Sequence, residues 1–218
     1  MAFKSSSSKQ PRLHSLQNHQ RTKPPTMSST SPPSTAASSA TVRFATEADV
    51  PTILTLIHEL AAYEHASASV LATESSLLTT LSFPSSSGTK PGYARTLLIY
   101  PPPPPPSHSP LRDNDEPLEE CAGLALYFHN YSTWRAAPGV YLEDLFVRPK
   151  FRGRGYGKRL LGELALETKR VGGQRLEWSV LKWNEPSLKF YGGLGARRME
   201  GWVAMRVDDL KGGRGTRG

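Results

Sequence analysis

The sequence predicts an α/β domain in which a central mixed β-sheet carries helices on both faces. Three observations predict it. Short runs rich in β-branched and aromatic residues alternate with longer runs of helical period. Glycine pairs and prolines stand at the joints between them. The resulting order, β-α-α-β-β-β-α-β-α-β, is that of a mixed sheet with its helices in layers above and below.

The elements follow in turn. Thr41-Val-Arg-Phe-Ala45 reads as the first strand. Thr46-Glu-Ala-Asp49 matches a capping box, and Pro51 falls in the first turn, where a missing N–H costs little. Behind it Val50, Ile53, Leu54, Ile57, Leu60 and Ala61 mark a helix with one buried face. A second helix is expected from Glu74 to about Ser82, capped by Thr73. Residues 84–93 read as a loop, Arg95 to Tyr100 as a strand, and Cys121 to Phe128 as its hairpin partner. Between them stand six prolines, Pro101–Pro106, and an acidic stretch to Glu120, an extended surface insertion over 101–119. Val140 to Val147 is strand-like and is closed by Pro149.

A helix is expected from Gly155 to about Arg170, with Leu160, Leu161, Leu164, Ala165 and Thr168 on one face and Gly172-Gly173 beyond it. Leu176, Trp178 and Val180 alternate as a half-buried strand. Pro186 opens a short helix through Tyr191 that Gly192 and Gly193 end, and Trp202 to Val207 reads as a last strand. Trp134 and Trp183 are expected to pack.

Charge divides the chain further. It has 218 residues and a formal charge of +8, from 27 basic and 19 acidic side chains. Eight of the bases lie in acid-free ends: Lys4, Lys9, Arg12, Arg21 and Lys23 in residues 1–40, and Lys211, Arg214 and Arg217 in 211–218. The other 19 balance the 19 acids, so residues 41–210 are neutral as a block. A nucleic-acid surface on the folded part would be basic in its own right. The domain is therefore expected over 41–210, with disordered basic tails on either side and neither nucleic acid nor membrane as partner. One cysteine, Cys121, forms no intrachain disulfide framework. The expected compartment is the cytoplasm. The acid-free, Ser-rich N-terminus also has the composition of a mitochondrial signal, but Pro24, Pro25, Pro32 and Pro33 interrupt any amphipathic helix there.

The sharpest chemical feature is a strand, then Arg152-Gly-Arg-Gly-Tyr-Gly157, then a helix. Glycines at alternate positions let backbone approach a ligand, and the free N–H groups of a helix start favour an anion. Arg148, Lys150, Arg152, Arg154, Lys158 and Arg159 surround the loop. On residues alone, a pyrophosphate seat and a plain basic turn are equally good readings.

The pattern Arg-Gly-x-Gly-x-Gly after a strand with Pro149 beyond it resembles the acetyl-CoA motif of the GNAT acetyltransferase superfamily. Leu56-Ile-His-Glu-Leu-Ala-Ala-Tyr-Glu64, Tyr141-Leu-Glu-Asp-Leu-Phe-Val147, Trp183-Asn-Glu-Pro-Ser187, Phe190-Tyr191 and Gly195-Ala196 resemble the diamine (spermidine/spermine) N-acetyltransferases over about 41–208. The resemblance implies the GNAT fold, a homodimer with active sites near the interface, and acetyl transfer from acetyl-CoA to a primary amine without a metal. It places Leu145, Phe146 and Val147 on the pantetheine arm and acetyl carbonyl. Arg152, Gly153, Arg154, Gly155, Tyr156, Gly157 and Lys158 fall on the pyrophosphate, and Asn184, Glu185, Pro186 and Ser187 on further cofactor contacts. Asn184 equally suits a helix cap.

Tyr191 is the implied general acid, since a phenol can protonate a departing thiolate. Tyr63, Glu64, Glu143, Glu177 and Glu200 are the implied substrate contacts. Glu143 is also the implied acceptor of the amine proton. Glu143 and Asp144 are adjacent on an apolar strand, so one of them points inward and needs a reason to do so. A polyamine leads the expected substrates, followed by thialysine-like amino acids and peptide amines. A non-catalytic interaction protein using its tails and prolines is the rival from another class.

Overall fold

The computed structural model describes residues 39–85, 88–103 and 120–208. The expected disordered tails and most of the proline insertion lie outside them. Five strands form one sheet in chain order: β1 (Thr41–Phe44), β2 (Arg95–Tyr100), β3 (Gly123–Ser132), β4 (Ala137–Val147) and β5 (Leu176–Trp178). The first four run antiparallel and β5 joins β4 in parallel. Helices α1 (Val50–Tyr63) and α2 (Glu74–Thr80) precede β2, α3 (Tyr156–Arg170) crosses from β4 to β5, and α4 (Glu185–Gly193) follows. The α/β expectation with a mixed sheet holds.

Two apolar layers sandwich the sheet. On one face Ala125, Tyr127, Val140 and Leu142 meet Tyr156, Leu160, Leu161 and Leu164 of α3. On the other, Leu98, Leu124 and Phe146 meet Ile53 and Leu56 of α1 and Leu77 of α2. Each fully buried leucine or isoleucine contributes roughly 1.5–3 kcal/mol. The start of α1 is fixed by charge as well as by cap. The Thr46 amide and hydroxyl both donate to Asp49, which also takes the Arg43 guanidinium at 2.8 Å. That guanidinium holds the Asp49 carboxyl well below its usual range.

Several expectations need correction. Residues 202–208 are irregular, and Trp202, Val203, Met205 and Val207 are exposed. Alternation gives the pattern of a strand, but a strand forms only where a neighbour satisfies its backbone, and no described strand pairs with this segment. β5 stops at Trp178, before Val180. α4 continues through Gly192 and Gly193, whose absent Cβ atoms face open space. Ala165 is exposed, and the buried stripe of α3 instead includes Tyr156 and Glu167. Trp134 does not pack. It stands 91% exposed in the β3–β4 turn.

Gly123 lies opposite Val147 at the start of β3. A Cβ there would come within 2.2 Å of the Phe146 carbonyl oxygen. Gly123→Ala is expected to cost about 1–3 kcal/mol through strand displacement, read as a lower midpoint in urea unfolding. An unchanged midpoint would show that the two strands have slack.

Candidate active site

The site begins with an irregularity in β4. Leu126 pairs with Asp144 but Tyr127 pairs with Leu142, so Glu143 is the extra residue of a β-bulge. The bulge reverses the alternation of faces. Leu142 belongs to the α3 side, whereas Asp144 and Phe146 fall on the side of Leu124 and Leu126, facing α1. Of the two adjacent acids, Asp144 is half-buried and Glu143 is exposed. A bulge leaves no mark in residue types, which is why the sequence does not favour Asp144 over Glu143.

The second irregularity lies between β4 and β5. They pair only at Val140–Leu142 with Leu176–Trp178. Beyond Leu142, β4 continues through Val147 with no described strand on that side. Leu145, Phe146 and Val147 therefore have one backbone edge on β3 and the other open to a ligand. The Val147 carbonyl accepts from Arg152 Nε at 2.9 Å.

The glycine loop divides its labour. Gly153 and Gly155 have φ of 76° and 83°, a left-handed conformation that favours glycine. They shape the backbone into a concave turn on the N-terminus of α3, with Gly155 as the residue before the helix. Gly157 serves packing, because a Cβ there would sit 3.3 Å from Phe190 of α4. Tyr156 points into the core against Phe151 and is 1% exposed, so only its backbone faces the loop. Arg148 is committed to Glu59 and Glu120, Lys150 to Glu120, and Arg159 to Glu163. Arg152, Arg154 and Lys158 are exposed at the loop itself. Arg152 lies over the Tyr63 ring at 4.8 Å.

Asn184 is 5% exposed and caps α4. Its Oδ1 accepts from the Ser187 amide at 3.2 Å and from the Tyr63 hydroxyl at 3.1 Å. The cap expected of Asn184 is thus present, and it uses the buried side-chain carbonyl. Glu185 and Pro186 are exposed and Ser187 is half-buried beside it. Trp183 packs at the rim, against Tyr63 and His65.

Tyr191, on α4, rests against Trp178 at 4.9 Å and Phe190 at 5.2 Å. Burial, and then Glu64, push its phenol up to about 12. Asp144 is raised to about 6, by burial first and then by Glu143 and Glu64. Burial also raises Glu64, the residue that ends α1. Glu64 acts on both of the others, so α1, β4 and α4 bring Glu64, Asp144 and Tyr191 into one electrostatic neighbourhood. Among the described residues neither Glu64 nor Asp144 forms an ion pair. Two expected substrate contacts stand apart. Glu177 is engaged by Asn130 at 2.9 Å and Arg175 at 2.7 Å, and Glu200 is exposed in the irregular C-terminal segment.

An open strand edge running to a glycine-shaped helix start suits a long ligand with an anionic end. The acid cluster beside it suits a cation. Residues 78–196 match the model of the acetyltransferase (GNAT) family. An L-ornithine N5-acetyltransferase of Arabidopsis thaliana is 33% identical over 76% of this chain and 83% of its own. A thialysine N-epsilon-acetyltransferase of Bos taurus is also 33% identical, over 77% and 91%. Among solved structures, an integron cassette protein from V. cholerae superposes with a TM-score of 0.57 at 20% identity, covering 79% of this chain and 94% of that one. The chain belongs to the GNAT family of acetyltransferases, which take their acetyl group from acetyl-CoA.

Proposed function

We propose that this enzyme acetylates a terminal primary amine of a small, flexible polycation, with a diamine or polyamine preferred. The observation that carries the reading is that Glu64 and Asp144, brought together beside Tyr191, form no ion pair among the described residues. A carboxylate cluster without a counter-cation attracts an ammonium chain and repels an anionic group. The two relatives described above are named for amino acids with a side-chain amine, and such a substrate brings a carboxylate that this cluster does not neutralise.

The cofactor's fit rests on the open edge of β4 and the turn at Gly153 and Gly155. Leu145, Phe146 and Val147 would hold its extended arm by their backbone, and residues 152–158 its pyrophosphate. Bound acetyl-CoA supplies an activated thioester carbonyl. In this reading Asp144, assisted by water, takes a proton from the bound ammonium. The free amine would attack the carbonyl carbon and the C–S bond would break, with Tyr191 giving its proton to the departing sulfur and its phenolate recovering, through water, the surplus proton left on the nitrogen. A backbone N–H on the open edge steadies the carbonyl oxygen as it gains charge. We place the proton-accepting role on Asp144 rather than Glu143 because the bulge leaves Glu143 exposed. We also propose a homodimer, supported by the exposed apolar residues Trp202, Val203, Met205 and Val207.

Three variants test the chemistry together. Tyr191→Phe is expected to lower kcat by ~10²–10⁴-fold. For wild type, kcat/KM should rise as pH passes through about 6, where Asp144 loses its proton. It should not fall again from Tyr191, which stays protonated until about 12. Asp144→Asn should remove the limb near 6 and cost more activity than Glu143→Gln; the reverse ranking returns the role to Glu143. With putrescine, spermidine, ornithine, thialysine and a lysine peptide as acceptors, the amines without a carboxylate should lead ornithine by about tenfold or more in kcat/KM. The opposite order would move the substrate class to ω-amino acids. Light scattering should give twice the chain mass, and a monomer mass throughout the micromolar range would remove the dimer.

A further inference from the structure

The bulge in β4 has a second effect on the face of the sheet that carries Asp144. Residues three apart on a regular strand point to opposite sides. The extra residue, Glu143, instead brings Tyr141 and Asp144 to the same side. The register shows it directly. Asp144 lies opposite Leu126 and Tyr141 opposite Phe128, while Tyr127 and Leu142 between them belong to the α3 side. Phe128 and Tyr141 therefore form the next row on the Asp144 face. Phe128 is two residues beyond Leu126, so the rows are about 7 Å apart.

That row is built as an aromatic shelf. The two rings stack, with centroids 5.2 Å apart and planes inclined by 29°. The Tyr141 and Ser179 hydroxyls are hydrogen-bonded at 2.8 Å, which fixes the ring in advance of any ligand. Both rings are half-buried, and neither belongs to an apolar core. Glu177 stands beside Tyr141 on β5, but its carboxylate takes Arg175 at 2.7 Å and Asn130 at 2.9 Å. Those two charges offset each other. What the row offers a cation is its ring faces, which attract an ammonium within about 6 Å. Arginine or lysine side chains already lie over Tyr63, Phe146 and Phe151, whereas none of the described ones lies over Phe128 or Tyr141.

We infer that the Phe128–Tyr141 shelf seats the second ammonium of the acceptor while the first loses its proton at Asp144. The inference rests on the amine site proposed above and deepens it, because it makes Tyr141 a specificity-determining residue. Two anchoring points about 7 Å apart suit an extended linker of about four or five carbons. A monoamine of the same length fills the path and leaves the rings without their charge.

Steady-state kinetics at saturating acetyl-CoA test it, with putrescine against butylamine and cadaverine against pentylamine. Each pair shares a carbon chain and differs in the far charge. In wild type the diamine is expected to lead in kcat/KM by roughly three- to thirtyfold, chiefly through KM. Tyr141→Leu should bring the ratio close to one. Tyr141→Phe keeps the ring, loses the Ser179 bond and should retain most of the ratio, and Phe128→Leu should lose part of it. CoA binding measured by calorimetry shows that each variant is folded. Should Tyr141→Leu not bind CoA, Phe128→Leu carries the comparison. The idea fails if the wild-type ratio is near one, if the leucine variants keep it, or if Tyr141→Phe loses as much as Tyr141→Leu. Ornithine ahead of putrescine would sink the preference for amines without a carboxylate. A diamine lead that Tyr141→Leu abolishes would support the shelf even then.

Discussion

The site depends on the parting of two neighbouring strands. β4 and β5 share three paired positions and then separate, although β4 runs on for another five residues. A central strand normally satisfies its backbone on both edges, and an unsatisfied buried edge is costly. Here that edge faces the place where a ligand's own polar groups can complete it. The bulge at Glu143 lies immediately after the last shared pair, so the separation and the reversal of faces coincide. The strand whose edge opens there therefore also turns Asp144 toward α1.

The remaining parts are held to that opening by a few close contacts. Asn184 caps α4 and takes the Tyr63 hydroxyl, so one buried carbonyl ties the end of α1 to the helix that carries Tyr191. Gly157 lets α3 approach Phe190 from the other side. The phenol and the glycine turn are thus fixed relative to each other through α4. Arg152 joins both groups of contacts, donating to the Val147 carbonyl while lying over the Tyr63 ring.

Much of this was legible in the sequence, and what was not has physical reasons. Apolar periodicity located α1, α3 and the strands because those residues fill two contiguous cores. Thr73 and Asn184 announced their helices because capping is a local interaction. The choice between Glu143 and Asp144 was hidden, since a bulge depends on the register between two strands. Gly157 and Tyr156 read as parts of a ligand loop, and the sequence did not show that one also makes room for Phe190 and that the ring of the other fills the core. Trp202 to Val207 had the alternation of a strand without a partner to pair with. The burial of Glu167 depends on Arg170 one turn later and on His129 on a distant strand, a pairing that only the fold creates.

The join between β2 and β3 has a consequence of its own. Both ends of the proline insertion are clamped to the domain. Tyr100 is held by Arg43, through its hydroxyl at 2.8 Å and its ring at 4.9 Å. Glu120 is held by Arg148 and Lys150. The closure entropy of a loop grows only with the logarithm of its length, about 0.6 kcal/mol per doubling. With its anchors fixed by charge, the segment between them can lengthen, shorten or change composition at little expense to the sheet. The join is an evolutionary docking port, where a lineage can graft new chain onto an acetyltransferase without retuning its chemistry.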